Sequence, residues 1–205
     1  MRQTYLTILT ALMTITVLLC RPLEAQESNC GEIAAMSAMS SAKSEVSLSH
    51  WKQRAGTGYR VGVVYASRLF ELKPDDRNAA SGLLALVPPN KQKESDWHTF
   101  GDSLCDSEPL SDMKALAKLQ ARLPRDLARA VLVVPEKMLD YVSYAYASIQ
   151  YPDSDYAVQM RMVCRAKHAE FSSAVNKLDA DDRKWFVGKI LNPDGCRVLT
   201  LPEAG

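Results

Sequence analysis

Apolar residues recur at three- and four-residue intervals along most of this chain, the spacing that gives an α-helix one apolar face. From Arg60 to Lys73 the inward set is Val61, Val64, Tyr65, Leu69 and Leu72, and Pro74 stops the helix. Asp75 or Asp76 can cap the next helix, whose stripe is Ala79, Ala80, Leu83, Leu84 and Val87 before the Pro88-Pro89 stop. A weaker stripe of Trp97, Phe100 and Leu104 follows. Ser107-Glu108-Pro109 opens a helix with Met113, Leu116, Leu119 and Leu123 inward, which Pro124 is expected to end. A short helix with Leu127, Val131 and Val134 then runs to Pro135. The helix from Glu136 to Gln150 is expected to bury Met138, Leu139, Val142, Tyr146 and Ile149. Asp153 or Ser154 caps the longest segment, with Tyr156, Met160, Val163, Cys164, Phe171, Val175 and Leu178 inward. Asp179 or Asp181 starts the last helix, carrying Trp185, Phe186 and Ile190, and Asn192-Pro193-Asp194-Gly195 is a turn.

No segment alternates with period two long enough to read as a firm strand. Arg197 to Leu201 is the one candidate, and an extended tail fits it equally. The stretch from Gly31 to Ala55 is rich in Ala, Ser and Met, and Ile33, Met36 and Met39 at spacing three give it a helical pattern. Gly56-Thr57-Gly58 is a flexible joint, and Pro and Gly otherwise cluster at helix ends, leaving no long linker. The predicted fold is all-α: a single multi-helix domain of antiparallel helical hairpins, a bundle or short α-solenoid-like stack, over residues 26–205. Its least regular part is 26–58.

Ahead of that domain stands a segment of different character. Arg2 precedes fourteen uncharged residues from Leu6 to Leu19, followed by Arg21-Pro22-Leu23-Glu24-Ala25. A basic start, a short apolar run and a small residue at the cleavage point are the parts of a secretory signal. Residues 1–25 are therefore read as a signal peptide, and the protein as exported, periplasmic or secreted. No Asn-x-Ser/Thr triplet occurs beyond it, which fits a bacterial source. A retained anchor at residues 4–20 is the alternative, since that stretch just reaches the shortest spanning length. Lipidation at Cys20 is disfavoured by the bulky Leu19 before it.

Loss of Arg2, Arg21 and Glu24 turns 25 basic and 24 acidic residues into 23 of each. A neutral domain has no bulk electrostatic reason to coat nucleic acid, or a membrane once the signal is cleaved. Cys30, Cys105, Cys164 and Cys196 remain. In an oxidising compartment an even count predicts two disulfides with three possible pairings. Cys30–Cys105 and Cys164–Cys196 are favoured, because the turn holding Cys196 can fold back on the helix bearing Cys164. Without a CxxC spacing, neither a zinc site nor a redox pair is indicated.

The run Tyr65-Ala66-Ser67-Arg68-Leu69-Phe70-Glu71-Leu72-Lys73-Pro74-Asp75-Asp76-Arg77-Asn78-Ala79-Ala80 resembles the junction between tetratricopeptide repeats, where one helix ends in Leu-x-Pro-Asp/Asn and the next begins with small residues. A looser echo runs from Ala147 to Ala157 through Tyr151-Pro152-Asp153. The family's Trp-x-x-Leu-Gly-x-x-Tyr opening is missing from both, and Pro-Asp as a simple stop-then-cap between helices explains them too. The resemblance implies a stack of helical hairpins that binds partner proteins or peptides.

Candidate chemistry is sparse. His168 follows Cys164 by four residues, so on one helix they share a face. Reduced, they could form a thiolate–imidazolium pair or two metal ligands; an oxidised Cys164 removes both options. Asp153-Ser154-Asp155 starts like a calcium loop, but Ala157, Val158 and Cys164 occupy positions five, six and twelve, so no such loop exists. Tyr141, Tyr144, Tyr146, Tyr151 and Tyr156 suit either a groove wall or core packing. The candidate ligand-binding set is Tyr141, Tyr144, Asp153, Asp155, Arg161 and His168. No catalytic residue, metal ligand or cofactor site is predicted, since HExxH, Gly-x-Ser-x-Gly and phosphate-loop patterns are lacking. The expected function is protein or peptide interaction, or ligand binding. A hydrolase or metal-dependent enzyme using His168 and nearby acids is the alternative.

Overall fold

In a computed structural model the chain is described at residues 31–56, 59–86, 110–148, 154–191 and 196. Among these residues every regular element is helical. The first helix, α1, spans 31–41. It is followed by α2 (Glu45–Ser49), α3 (Lys52–Ala55), α4 (Tyr59–Leu72) and α5 (Arg77–Ala85). Then come α6 (Leu110–Val133), a 3-10 turn at Pro135–Lys137, α7 (Met138–Ser148), α8 (Asp155–Ala166), α9 (His168–Val175), α10 (Ala180–Phe186) and a π turn at Val187–Leu191.

The helix starts follow from short polar side chains that accept otherwise orphaned backbone N–H groups. Asp76 accepts from the Ala79 amide at 2.7 Å and so begins α5. Ser154 accepts from the Ala157 amide at 3.4 Å and begins α8. Ser44 and Ser47 form a reciprocal box at the start of α2.

Buried apolar side chains form one cluster that runs from Ile33 to Cys196. Helix α6 is its axis: α4, α5, α7 and α8 all pack on it. Helix α8 also meets α7, α9 and the π turn. The predicted inward residues of α1 (Ile33, Met36, Met39) and of α5 (Ala79, Ala80, Leu83, Leu84) are buried. The sulfurs of Cys164 and Cys196 stand at bonding distance, with Cα atoms 6.2 Å apart, and tie the chain after the π turn to α8. Cys30 and Cys105 lie outside the described residues, as do the Trp97–Phe100–Leu104 stripe, the Asn192–Gly195 turn, Arg197 to Leu201 and residues 1–25.

Three local expectations are corrected. Pro124 does not end a helix; it sits inside α6. Leu116, Leu119 and Leu123 before it and Leu127, Ala130 and Val131 after it are all buried and keep one 3.6-residue phase. An interior proline costs about 3 kcal/mol, whereas each fully buried leucine gains about 1.5–3 kcal/mol. Packing on four neighbours wins.

The longest predicted segment is two helices. It breaks at Lys167, whose backbone adopts φ −138° and ψ 56°. Three residues after Cys164 and four before Phe171, a continuous helix would aim Lys167 at the core. Breaking there leaves the ammonium half-exposed instead. Finally, Leu139 is exposed, because α7 buries Met138, Tyr141, Val142, Tyr144 and Ala145.

Candidate functional site

Where α4 and α6 meet, the core contains charges. Asp126 lies between Leu123 and Leu127 on the buried side of α6 and is 2% exposed. One turn earlier, Arg122 donates from Nε to Asp126 Oδ2 at 2.9 Å. The same guanidinium donates from Nη2 to Glu71 Oε2 of α4 at 2.7 Å, and its Nη1 pairs with Oε1. This two-pronged contact uses the planar fork that only arginine offers. Ser67 Oγ donates to Asp126 Oδ2 at 3.5 Å. Arg68 pairs with Glu71 and donates from Nε to the Ala42 carbonyl just beyond α1. Two cations and two anions thus link the end of α1, α4 and α6.

Burial and ion pairing pull in opposite directions here, with different winners. At Asp126 desolvation dominates and raises the carboxyl above its ordinary value, although Arg122 and Arg125 favour its charge. At Glu71 burial opposes the charge, but hydrogen bonds from Arg122 and Arg68 outweigh it and hold the carboxyl below its ordinary value. Burial also opposes the Arg122 charge, and is outweighed by Glu71 and Asp126.

On its outer side Arg122 borders an open groove of 380 Å³. Lys118, Ala121, Arg122, Pro124 and Arg125 of α6 form one wall, and Asp155 and Gln159 of α8 the other. Gln159 Oε1 is buried with no hydrogen-bond partner among the described residues. The groove therefore carries a guanidinium held in place from behind and two further basic groups.

Of the six residues singled out from sequence, Asp155 alone lines this groove, from the exposed first turn of α8. Tyr141 is fully buried and its hydroxyl has no hydrogen-bond partner among the described residues. Burial pushes that hydroxyl far above its ordinary value. Tyr144 is also buried, its hydroxyl 2.9 Å from that of Tyr156 and the rings edge-to-face at 5.6 Å. These two tyrosines join α7 to the core and do not line this groove. Arg161 is half-buried on α8, His168 is the exposed first residue of α9, and Asp153 lies outside the described residues. With Cys164 bonded to Cys196 and the helix broken at Lys167, a Cys164–His168 pair has neither its thiol nor its shared helix face. Among the described residues no group of three or more His, Cys, Asp or Glu side chains converges to hold a metal.

The charged network escaped the sequence reading, though one signal was present: an Asp inside the apolar stripe of α6, one turn after an Arg. Fold and site together define a class, an all-helical protein whose central helix has charges buried at one interface and a basic, open groove at another. Compared with known proteins, the chain matches no protein-family model, no curated protein and no solved structure. No described helix is long and apolar enough to cross a membrane.

Proposed function

We propose that this chain is an exported protein-interaction module that receives a polypeptide segment in the groove between α6 and α8. One observation carries the reading: Arg122 is fixed at the groove wall by Glu71 and Asp126 behind it, so a partner meets a guanidinium already ordered. Preorganisation of this kind lowers the entropic cost of binding. The tetratricopeptide-like junction at Tyr65 to Ala80 supports the same reading, as a stack of antiparallel helical hairpins would present grooves between neighbouring helices.

Export belongs to this proposal, with residues 1–25 removed and a second bridge between Cys30 and Cys105. Intact-mass measurement of the mature protein checks both: the expected product begins at Gln26 and is four hydrogens lighter than the reduced chain. To test the groove, Ala121, exposed on α6, is replaced by Trp. The wild-type chain should capture a partner from an envelope extract, and Ala121→Trp, with an unchanged circular dichroism spectrum, should not. Equal capture by both places the interaction elsewhere and rejects the groove.

A further inference from the structure

Every exposed charge on the described side chains of α6 is basic: Lys114, Lys118, Arg125 and Arg129. Spacings of four, seven and four residues put them along one face of the helix. At 1.5 Å per residue that face runs about 22 Å. None of Lys114, Lys118 and Arg125 forms an ion pair with a described carboxylate. Arg122, by contrast, is balanced internally by Glu71 and Asp126. The exposed cations belong to the surface, in a domain whose total charge is balanced. Asp155 is the single acid on the facing lip.

Beyond Asp155, α8 changes character. Val158 and Met162 stand one turn apart and are 40% and 45% exposed. Their outward direction follows from the buried face of α8, which is taken by Tyr156, Ala157, Met160, Val163 and Cys164. The two sides of the groove therefore offer different chemistry: cations on α6, and apolar side chains past the lip on α8. Gln159 of α8 lines the groove beside Asp155.

We infer that the groove takes an extended, acidic segment of a partner protein in which acidic and apolar side chains alternate. This rests on the interaction-module reading above and names the partner's chemistry. Successive side chains of an extended chain point to opposite sides. Laid along the groove, such a segment turns its carboxylates to Lys118 and Arg125, with Lys114 farther along the same helix face, and its apolar residues to Val158 and Met162, while Arg129 stacks over the Phe70 ring of α4. About 22 Å accommodates about seven extended residues. An anionic membrane shares the charge but is flat, whereas this site is a furrow between two helices.

The test uses the full chain and a fluorescent peptide of about eight residues alternating Glu with Leu, read by anisotropy. Controls are the Lys-for-Glu peptide, a Glu-Ser alternation, and vesicles containing phosphatidylglycerol. The Glu-Leu peptide should bind, more weakly as salt rises, and the Lys-for-Glu peptide should not. Lys118→Glu with Arg125→Glu should weaken binding at least about tenfold, a modest demand for two charge reversals at exposed pairs. Lys114→Glu with Lys118→Glu, remote from Asp126, should do the same if the first variant is unstable. Val158→Ser with Met162→Ser should bring Glu-Leu binding down to the Glu-Ser level. Equal affinity in either charge-reversed variant overturns the inference, as does binding of the vesicles in place of the peptide. If no acidic peptide binds while wild-type capture from envelope extract remains sensitive to Ala121→Trp, this partner chemistry falls and the interaction module stands. If both signals are missing, both fall.

Discussion

The interface of α4 with α6 and that of α7 with α8 are held together by opposite means. The first buries an arginine–carboxylate chain, Glu71–Arg122–Asp126, capped by Ser67. The second packs apolar side chains around the Tyr144–Tyr156 hydroxyl pair, and the nearby Cys164–Cys196 bridge ties the chain after the π turn to α8. Apolar contacts tolerate sliding, because their energy depends on area and hardly on direction. Charges taken out of water tolerate none, because each must keep its partners or face several kcal/mol of desolvation. The charged interface therefore sets where α4 sits along α6, and the apolar one supplies the area.

That contrast is sharpest for Asp126. Asp126→Ala leaves Arg122 partly buried with only Glu71 and should cost about 3–5 kcal/mol in urea unfolding. Replacing Arg122 and Asp126 together, by Met and Leu, removes both ions and should come within about 1 kcal/mol of wild type or exceed it. If the double variant is as unstable as the single one, the network stabilises outright, and its role is more than setting register.

On the apolar side the largest single effect should come from the bridge. Cys164 and Cys196 close a loop with a sequence separation of 32 residues. Constraint of the unfolded chain by a loop of that size corresponds to about 3–4 kcal/mol. Cys164→Ala should lower stability by nearly that much, and dithiothreitol should destabilise the wild type but leave the Ala variant's response through this bridge absent. A stability loss under 1 kcal/mol would mean that packing already holds the π turn against α8 without the sulfur bond.

Much of this was legible in the chain, for a reason that also explains the rest. Helix faces follow from short-range periodicity, so the stripes of α1, α5 and the second half of α6 could be read before any packing was known. The capping choice of Asp76 and Ser154 is equally local. Pro124 defeated the same local logic, because whether a helix survives a proline depends on what both halves bury, and that is a property of four neighbouring helices. Asp126 stood out of its apolar stripe in plain view, yet Glu71 lies 51 residues before Arg122 and nothing short-range pairs them. The groove is less legible still. Asp155 was picked out for its tyrosine neighbours, whereas its facing residues, Lys118 and Arg125, come from a different helix. Tyr141 and Tyr144 show the converse, since polar-tipped rings look alike in sequence whether they line a groove or fill a core.

The smallest expected effect concerns protons at the charged interface. An isolated Asp titrates below an isolated Glu. Here the two values should move toward each other, because burial raises Asp126 while Arg122 and Arg68 lower Glu71. For Asp126 the folded value lies above the unfolded one, so its contribution to stability is present below the unfolded value and is lost as pH rises through the folded one. For Glu71 the folded value lies below the unfolded one, so its contribution is present above the unfolded value and is lost as pH falls through the folded one. On acidification, protonation of Asp126 by itself favours the fold, whereas protonation of Glu71 weakens the tie to α4. Carbon-13 titration of the two side-chain carboxyls measures each midpoint against its ordinary value. A midpoint for Asp126 below that of an isolated Asp would show that Arg122 outweighs desolvation at both carboxylates, and that the charged and apolar interfaces respond to acid less differently than their burial implies.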